Sequence, residues 1–237
     1  METVSLTIDC ARCKGFCCIE LYFSKADGFP MDKPAGKPCR HLTSAHRCDI
    51  HSDLEKRGLK GCMAYDCFGA GQRAAATGED FQRLYRLHQM LWYLTCAASA
   101  PGIGKLAPQI GALIQESGGV EDLDEYQDRV NALLKQVIAK TCVKGPPKRI
   151  DMAGKDFKKA DLSGMDLTFT LLMAANLTGC AFDRASLLGA DLRDADLSGA
   201  DLSGSLFLTQ AQVNGARGDG RTKLPARLAR PDLWHTV

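Results

Sequence analysis

No apolar run in this 237-residue chain approaches the roughly 20 residues that a membrane-spanning helix needs, so the sequence predicts a soluble protein. Its first residues, Met1 to Asp9, lack a basic start and carry acids where a signal peptide needs an uninterrupted apolar core. Export is not expected, and a cytoplasmic location is. Strong charge of either sign is missing too. The formal net charge is +2, with 10 basic and 11 acidic side chains from Asp151 onward and 20 and 17 before it, so neither half has the basic excess of a nucleic-acid binder. Gly69-Ala70-Gly71-Gln72 has the look of a phosphate loop but lacks the lysine and spacing of a Walker motif, and reads as a turn. No acid, base or nucleophile stands out as a catalytic set. What the chain does have is 11 cysteines, and in a reducing cytosol such a set points to metal ligation rather than disulfides.

Sequence texture changes near Lys144-Gly-Pro-Pro-Lys-Arg149, which reads as a linker. Beyond it, from Ile150 to Phe207, every third residue of a five-residue frame is Leu, Phe or Met: Met152, Phe157, Leu162 and so on to Phe207. A strand would put successive leucines on opposite faces, and an α-helix would rotate them by roughly 140° each time. Glycines at 164, 179, 189, 199 and 204 also count against a helix, at about 1 kcal/mol each in its interior. A coil with one side per repeat points each central residue, and the small residue two before it, toward a common axis. Ala160, Ala175, Ala185, Ala190, Ala195 and Ala200 take the small position, and Asp161, Asp166, Asn176, Asp191, Asp196 and Asp201 the polar one between, while Lys155 departs from the pattern and suggests a weak first coil.

This segment resembles the pentapeptide-repeat family, A(D/N)LXX, and the resemblance implies a right-handed, four-sided β-helix. Twelve repeats then make three coils, a stack of about 15 Å at strand spacing. Thr209 to Trp234 is expected to cap its end, with Leu233 and Trp234 as packing residues. Some members of that family resemble duplex DNA in outline and protect gyrase. Duplex of that height carries about nine negative charges, whereas Asp151 to Gly215 has nine acids against five bases. The rod is too short and too weakly acidic for a good mimic.

Eight cysteines fall in the first quarter: Cys10, Cys13, Cys17, Cys18, Cys39, Cys48, Cys62 and Cys67, with His41, His46 and His51 among them. Cys10-x-x-Cys13 lets one turn of backbone bring two thiolates onto one ion, and Cys17 returns within reach. The side chains of adjacent Cys17 and Cys18 diverge, so one of them ligates a second ion or packs. The principal site is expected at Cys10, Cys13, Cys17 and Cys48, with Cys18, Cys39, Cys62 and Cys67 as further ligands and His51 the best of the histidines. His46 reads as an exposed turn residue. Disulfides among the eight remain the alternative, with roughly a hundred possible pairings.

The stretch from Cys10 to Gln72 also resembles the zinc- or iron-chelating family named for its CxxCxxxCC signature, through Cys48-x-Ile50-His51, Gly61-Cys62 and Tyr65-x-Cys67 as well. That resemblance implies a bound metal. Some of its members resemble flagellin lysine methylases proposed to use an iron–sulfur cluster. Four thiolates suit zinc or an iron–sulfur cluster, and a mixed Cys/His set suits reactive iron or copper. Cys96, Cys142 and Cys180 stand apart, and Cys96 and Cys180 read as core.

Between these parts the sequence predicts three helices, from about Thr77 to Cys96, Leu106 to Gln115 and Glu121 to Lys140, the first started by a capping-box-like Thr77-Gly-Glu-Asp80. Phe81, Leu84, Leu87 or His88, Leu91 and Leu94 mark its apolar face, with His88 a core residue. The expectation is an α+β multidomain protein, a Cys-rich metal-binding module with α-helices followed by a short right-handed quadrilateral β-helix. Its parts are residues 1–75 (metal module), 76–143 (helices packing on it), 144–149 (linker), 150–208 (repeats) and 209–237 (cap). Function is expected at the cysteines: metal binding (zinc or iron, with iron–sulfur or copper open), with an enzyme acting on a small molecule, a protein-interaction module with structural zinc, and gyrase protection as alternatives.

Overall fold

The computed structural model describes residues 4–54 and 56–235. Met1 to Thr3, part of the stretch read against a signal segment, and the last two residues of the expected cap lie outside that range. The chain divides into two compact units, Met1–Trp92 with Glu121–Leu123, and Tyr93–Val120 with Asp124–Val237. The division cuts the helical middle inside one helix, and not at Lys144–Arg149. None of the described helices is long and apolar enough to cross a membrane.

In the first unit, loops carry most of the chain and short helices pin them: α1 (Phe16–Glu20), α2 (Lys60–Ala64), α3 (Ala70–Thr77) and the start of α4 (Phe81–Ala98). Residues 69–72, read from the sequence as a turn, instead enter α3. The Asp9 N–H donates to Gln72 Oε1 at 2.8 Å and Gln72 Nε2 donates to the Thr7 carbonyl, so the N-terminal strap holds the first turn of this helix. Gly78, at φ 77°, closes α3 by donating its N–H to the Ala74 carbonyl, a conformation that only glycine adopts without penalty. The cap of α4 is Asp80, whose carboxylate accepts from the Arg83 N–H at 2.7 Å, three residues later than the sequence pattern places the start. Phe81, Leu84, Leu87, His88, Leu91 and Leu94 are all buried on one face. Their neighbours include Cys67, Ala70 and Ala74, and Phe16 stacks on Phe81 at 5.3 Å.

The second unit joins the C-terminal end of α4 with α5 (Ala107–Glu116), α6 (Leu123–Thr141), a repeat coil and α7 (Gln210–Gly215). Asp124 and Glu125 lead α6 and Lys140 ends it, the order that the helix dipole favours. Along the repeats, residue i bridges residue i+20 in parallel: Asp151 to Leu171, Asp156 to Asn176, Asp161 to Ala181, through Ser186 to Leu206. Twenty residues per turn means four pentapeptides, hence four sides. Each rung is a single bridge because a β-turn follows at once, closed by bonds such as Ala160 N–H to the Phe157 carbonyl. Columns such as Leu167, Leu187 and Phe207 stack inside, each 1% exposed or less, and Ala175, Ala185, Ala195 and Cys180 fill the gaps between columns. The polar position is explained by its side chain, which accepts the backbone N–H two residues on, as Asp161 Oδ1 does from Ser163 and Asn176 Oδ1 from Thr178.

Both ends of the coil reach further than the repeat pattern. Gly145 bridges Met165, so the expected linker is already the first rung. The first coil is fully bonded despite Lys155, with Met152 and Phe157 donating to Leu171 and Asn176 at 2.8 Å, although their side chains are only half-buried. At the other end α7 interrupts the chain, after which Arg217 bridges Asp196 and Lys223 bridges Asp201. The cap therefore continues the ladder. Gln212 donates to the Leu187 and Ala190 carbonyls, groups that an uncapped edge would leave unpaired. Trp234 is buried as expected, whereas Leu233 is half-exposed.

Candidate metal centre

Contacts gather the eight clustered cysteines into two neighbouring groups, which Arg47 ties together. In the first, the strap Thr7–Cys13 is tied to α3 by the Asp9–Gln72 pair, which brings Cys10 and Cys13 against the chain at Cys67. A Cβ added at Gly71 would stand 2.7 Å from Cys13 Sγ and 3.7 Å from Cys67 Sγ, so both sulfurs face one bare patch of helix. The Arg47 guanidinium gathers the other side of the loop, donating to the Cys10 carbonyl at 3.2 Å, the Cys13 carbonyl at 3.1 Å and the Ala11 carbonyl. Burial pushes the Cys10 thiol up to about 11, and Cys67, Cys13, Cys18 and Asp9 add to the shift. Cys67 is likewise raised by burial, against which the Gly71 and Gly69 N–H groups donate to its sulfur.

In the second group, the Cys39 N–H donates to the Cys18 carbonyl at 2.9 Å, and Leu42 bridges Cys48 in an antiparallel pair. The Gly61 N–H donates to the Gly28 carbonyl and the neighbouring Cys62 follows it into α2, while a Cβ at Gly61 would strike the Phe29 ring. Phe29 stacks on Phe23 at 4.3 Å, and Phe23 pairs with Lys33. Lys33 is 5% exposed, and its ammonium donates to the Ile19, Leu21 and Pro34 carbonyls. Burial pushes Cys62 up to about 12, with Cys18, Cys39 and Cys48 as its charged neighbours.

Cys17 and Cys18 stand at the junction and share a side-chain hydrogen bond. That bond, with Lys33 nearby, lowers Cys18 to about 7 and holds Cys17 protonated. Cys10, Cys13, Lys33 and Tyr65 are further neighbours of Cys17, and Cys18 also lies near Cys10. The sequence pattern sets Cys48 beside Cys10, Cys13 and Cys17. In the structure Cys67 takes that place and Cys48 sits with Cys18, Cys39 and Cys62. As placed, no three His, Cys, Asp or Glu side chains among the described residues converge on a single ion position.

The histidines divide similarly. His51 is exposed and opens a short 3-10 turn, His46 is an exposed turn residue at φ 57°, and His41 pairs with Asp49 at 2.9 Å. His88 is fully buried, with Nδ1 against the Phe68 carbonyl at 2.7 Å and Nε2 lacking a partner among the described residues. Cys96, Cys142 and Cys180 are buried in the second unit.

Three features went beyond what the sequence pattern assigned, Tyr65 having entered it only as a neighbour of Cys67. Tyr65 places its hydroxyl inside without a hydrogen-bond partner among the described residues, and burial first, then the charges of Tyr85, Cys67 and Cys17, raise its pKa. Lys33 and Arg47 organise the two groups of thiols and look like ordinary surface cations in sequence. In the second unit a concavity of about 720 Å³ is lined by Cys96, Asp183, Arg184, Ser203 and Arg227 among others.

Among the described residues no three of these side chains converge on one ion position, and three observations describe the surroundings of the thiols. Burial disfavours the charged forms of Cys10, Cys39, Cys48, Cys62 and Cys67, an effect that a nearby cation reverses. Gly71 leaves a cradle that any side chain would fill. The orphaned Tyr65 hydroxyl, beside Cys67 and Cys17, is a donor that a metal-bound thiolate satisfies.

Comparison with known proteins bears on the whole chain and on the coil. The family model described as pentapeptide repeats matches residues 170–207 in eight copies. The Bacillus subtilis uncharacterized protein YybG is 37% identical over 264 aligned positions, covering 97% of this chain and 95% of that protein. Among solved structures, the pentapeptide repeat protein Rfr23 from the cyanobacterium Cyanothece 51142 matches 33% of this chain and 53% of its own at 30% identity, with a TM-score of 0.30. A pentapeptide repeat protein of the Arabidopsis thaliana thylakoid lumen matches 35% and 59% at 29% identity, with a TM-score of 0.19. The chain thus spans little more than half the length of these solved relatives.

Proposed function

The chain is a pentapeptide-repeat protein of the family to which Bacillus subtilis YybG belongs, and we propose that its first unit is a cysteine-ligated metal-binding module, joined in one chain to a rigid coil that serves as scaffold or protein-interaction surface. The observation that carries this reading is the gathering of eight thiols, from segments as far apart as Cys10 and Cys67, by bonds that involve no disulfide: all of them are free. A loop-rich unit of this size gains much of its folding energy from such a metal when it has one. Four-thiolate coordination suits zinc or an iron–sulfur cluster. Bound zinc neutralises thiolates and ties loops together, whereas an iron–sulfur cluster also carries electrons.

Within this reading Cys10, Cys13, Cys17, Cys18, Cys39, Cys48, Cys62 and Cys67 hold metal. Arg47 and Lys33 fix the loops and offset the negative charge of the thiolates, and Tyr65 donates a hydrogen bond to sulfur. His51 stays a candidate ligand only through the sequence pattern. Elemental analysis of anaerobically purified protein, with its visible spectrum, tests the proposal. Stoichiometric zinc without colour supports a structural centre, and iron with sulfide and visible absorption a redox centre. Metal-free protein with eight reactive thiols in the native state refutes both.

A further inference from the structure

We propose that the concavity in the second unit is a binding site for a small hydroxylated oxyanion, of the sugar-phosphate or sugar-acid class, held between Arg184 on the coil and Arg227 in the C-terminal segment. The cavity holds about 720 Å³, inside the range of roughly 300–1,000 Å³ usual for small-molecule sites. Its walls come from three parts of that unit: the C-terminal end of α4 at Cys96 and Ser99, the coil corner at Asp183, Arg184 and Ser203 to Ser205, and Arg227. None of them belongs to the cysteine-rich unit, so the site is independent of the metal-binding reading.

Asp183 and Arg184 are the last two residues of a repeat, exposed positions whose residue type the coil leaves free. Arg184 is braced on two sides. Its N–H donates to the Gly204 carbonyl at 2.9 Å, and its Nε donates to Asp183 Oδ2 at 3.1 Å, which leaves both Nη groups of the fork for an oxyanion. Asp183 itself lies across bare backbone, since a Cβ at Gly204 would collide with its Oδ1. Arg227 has no carboxylate partner among the described residues. Its guanidinium donates to the Cys96 sulfur, which burial pushes up to about 11 and so keeps a neutral thiol. Two guanidiniums against the single carboxylate of Asp183 leave the lining one net positive charge. The serines define what else the ligand carries. Ser99, Ser203 and Ser205 direct their protons into the protein, to the Thr95 carbonyl, Asp201 Oδ1 and the Leu202 carbonyl. Their oxygens offer the cavity acceptors only, as does Asp183, and acceptors match O–H donors on a ligand. The partial negative charge at the end of α4 acts the same way, so a bare anion gains less here than one that also brings hydroxyls.

Calorimetric titration of the full-length protein with ribose phosphate and with gluconate tests the site, with ribose and inorganic phosphate as controls that each lack one half of the ligand. At least one of the two hydroxylated oxyanions is expected to bind one-to-one and roughly tenfold or more tighter than either control, and the tighter of the two identifies the phosphate or the carboxylate class. Arg184→Ala and Arg227→Ala are each expected to weaken that binding roughly tenfold or more, the scale of a charged hydrogen bond. Both side chains are exposed, so the melting temperature without ligand is expected to stay unchanged. Where an alanine variant melts lower, Arg184→Lys or Arg227→Lys, which keeps the charge and loses the fork, takes its place with the same expected loss. In the unaltered chain the bound ligand is expected to raise the coil's melting temperature. No binding of either hydroxylated oxyanion overturns the proposal, as does binding that survives in both arginine variants, which places it elsewhere on the chain. Inorganic phosphate binding as tightly as ribose phosphate overturns the recognition of hydroxyls.

Discussion

A Cβ at position 71 would lie 2.7 Å from Cys13 Sγ, closer than real Cβ contacts allow, so Gly71→Ala pushes the Cys10–Cys13 loop off α3. If the thiols bind metal as proposed, the expected outcome is a roughly 10–100-fold loss of metal affinity, the scale of losses seen when support around a metal site is removed, read by competition with a chromophoric chelator. Unchanged affinity would sink the cradle argument. In the coil, Leu187 is fully buried between Leu167 and Phe207 in its column, and Leu187→Ala is expected to cost about 2–5 kcal/mol in denaturant unfolding. A cost under about 1 kcal/mol would mean that the column is not packed as described. At this scale the repeat was legible residue by residue, because its period of five imposes the same environment on every fifth side chain. The thiol partners were not. Cys67 replaces Cys48 beside Cys10 through a bond spanning 63 residues, Asp9 to Gln72, which no local spacing encodes.

At the scale of elements, the ladder of aspartates makes the coil sensitive to acid. Hydrogen bonds from Ser163, by side chain and backbone, and then from Lys144 hold Asp161 at about 2. Burial opposes ionisation at Asp191 and Asp196, but bonds from Arg193 and Ser198 keep both below the usual range, and bonds from Ser203 and Lys223 do the same at Asp201. A folded pKa below the unfolded one contributes stability above the unfolded value near 3.9, and that contribution is lost as pH falls through the folded values. The coil's melting temperature is therefore expected to hold from about pH 7 to 5 and to drop between about pH 4 and 2, followed by circular dichroism. A flat profile down to pH 2 would contradict the role given to these turns. Arg47→Ala tests the strap in the first unit. Freed from Arg47, the Cys10–Cys13 loop is expected to alkylate faster, with Cys39 and Cys62 unaffected. Helix positions were readable from apolar spacing to within a few residues, whereas α3 was missed because two glycines disguise a helix that its contacts with Thr7 and Asp9 hold in place.

Taken as a whole, the molecule joins a unit of apolar columns and regular turns to one whose loops converge on thiols. The first kind of order is repeated along the sequence and so is visible in it. The second depends on which distant segments meet, and the linker that seemed to divide the chain turned out to be the first rung of the coil. The two units are expected to respond differently to a strong chelator: the cysteine-rich unit loses its fold while the coil keeps its own melting transition. A single transition unaffected by chelation would count against a metal in the first unit. The most direct measurement is native mass spectrometry of the protein purified without oxygen, before and after denaturation. The account predicts a native mass above that of the 25.7 kDa chain by bound metal, lost on acid denaturation to leave the fully reduced chain. A native mass equal to the bare chain, or one short of hydrogens for disulfides formed among the eight cysteines, would contradict it.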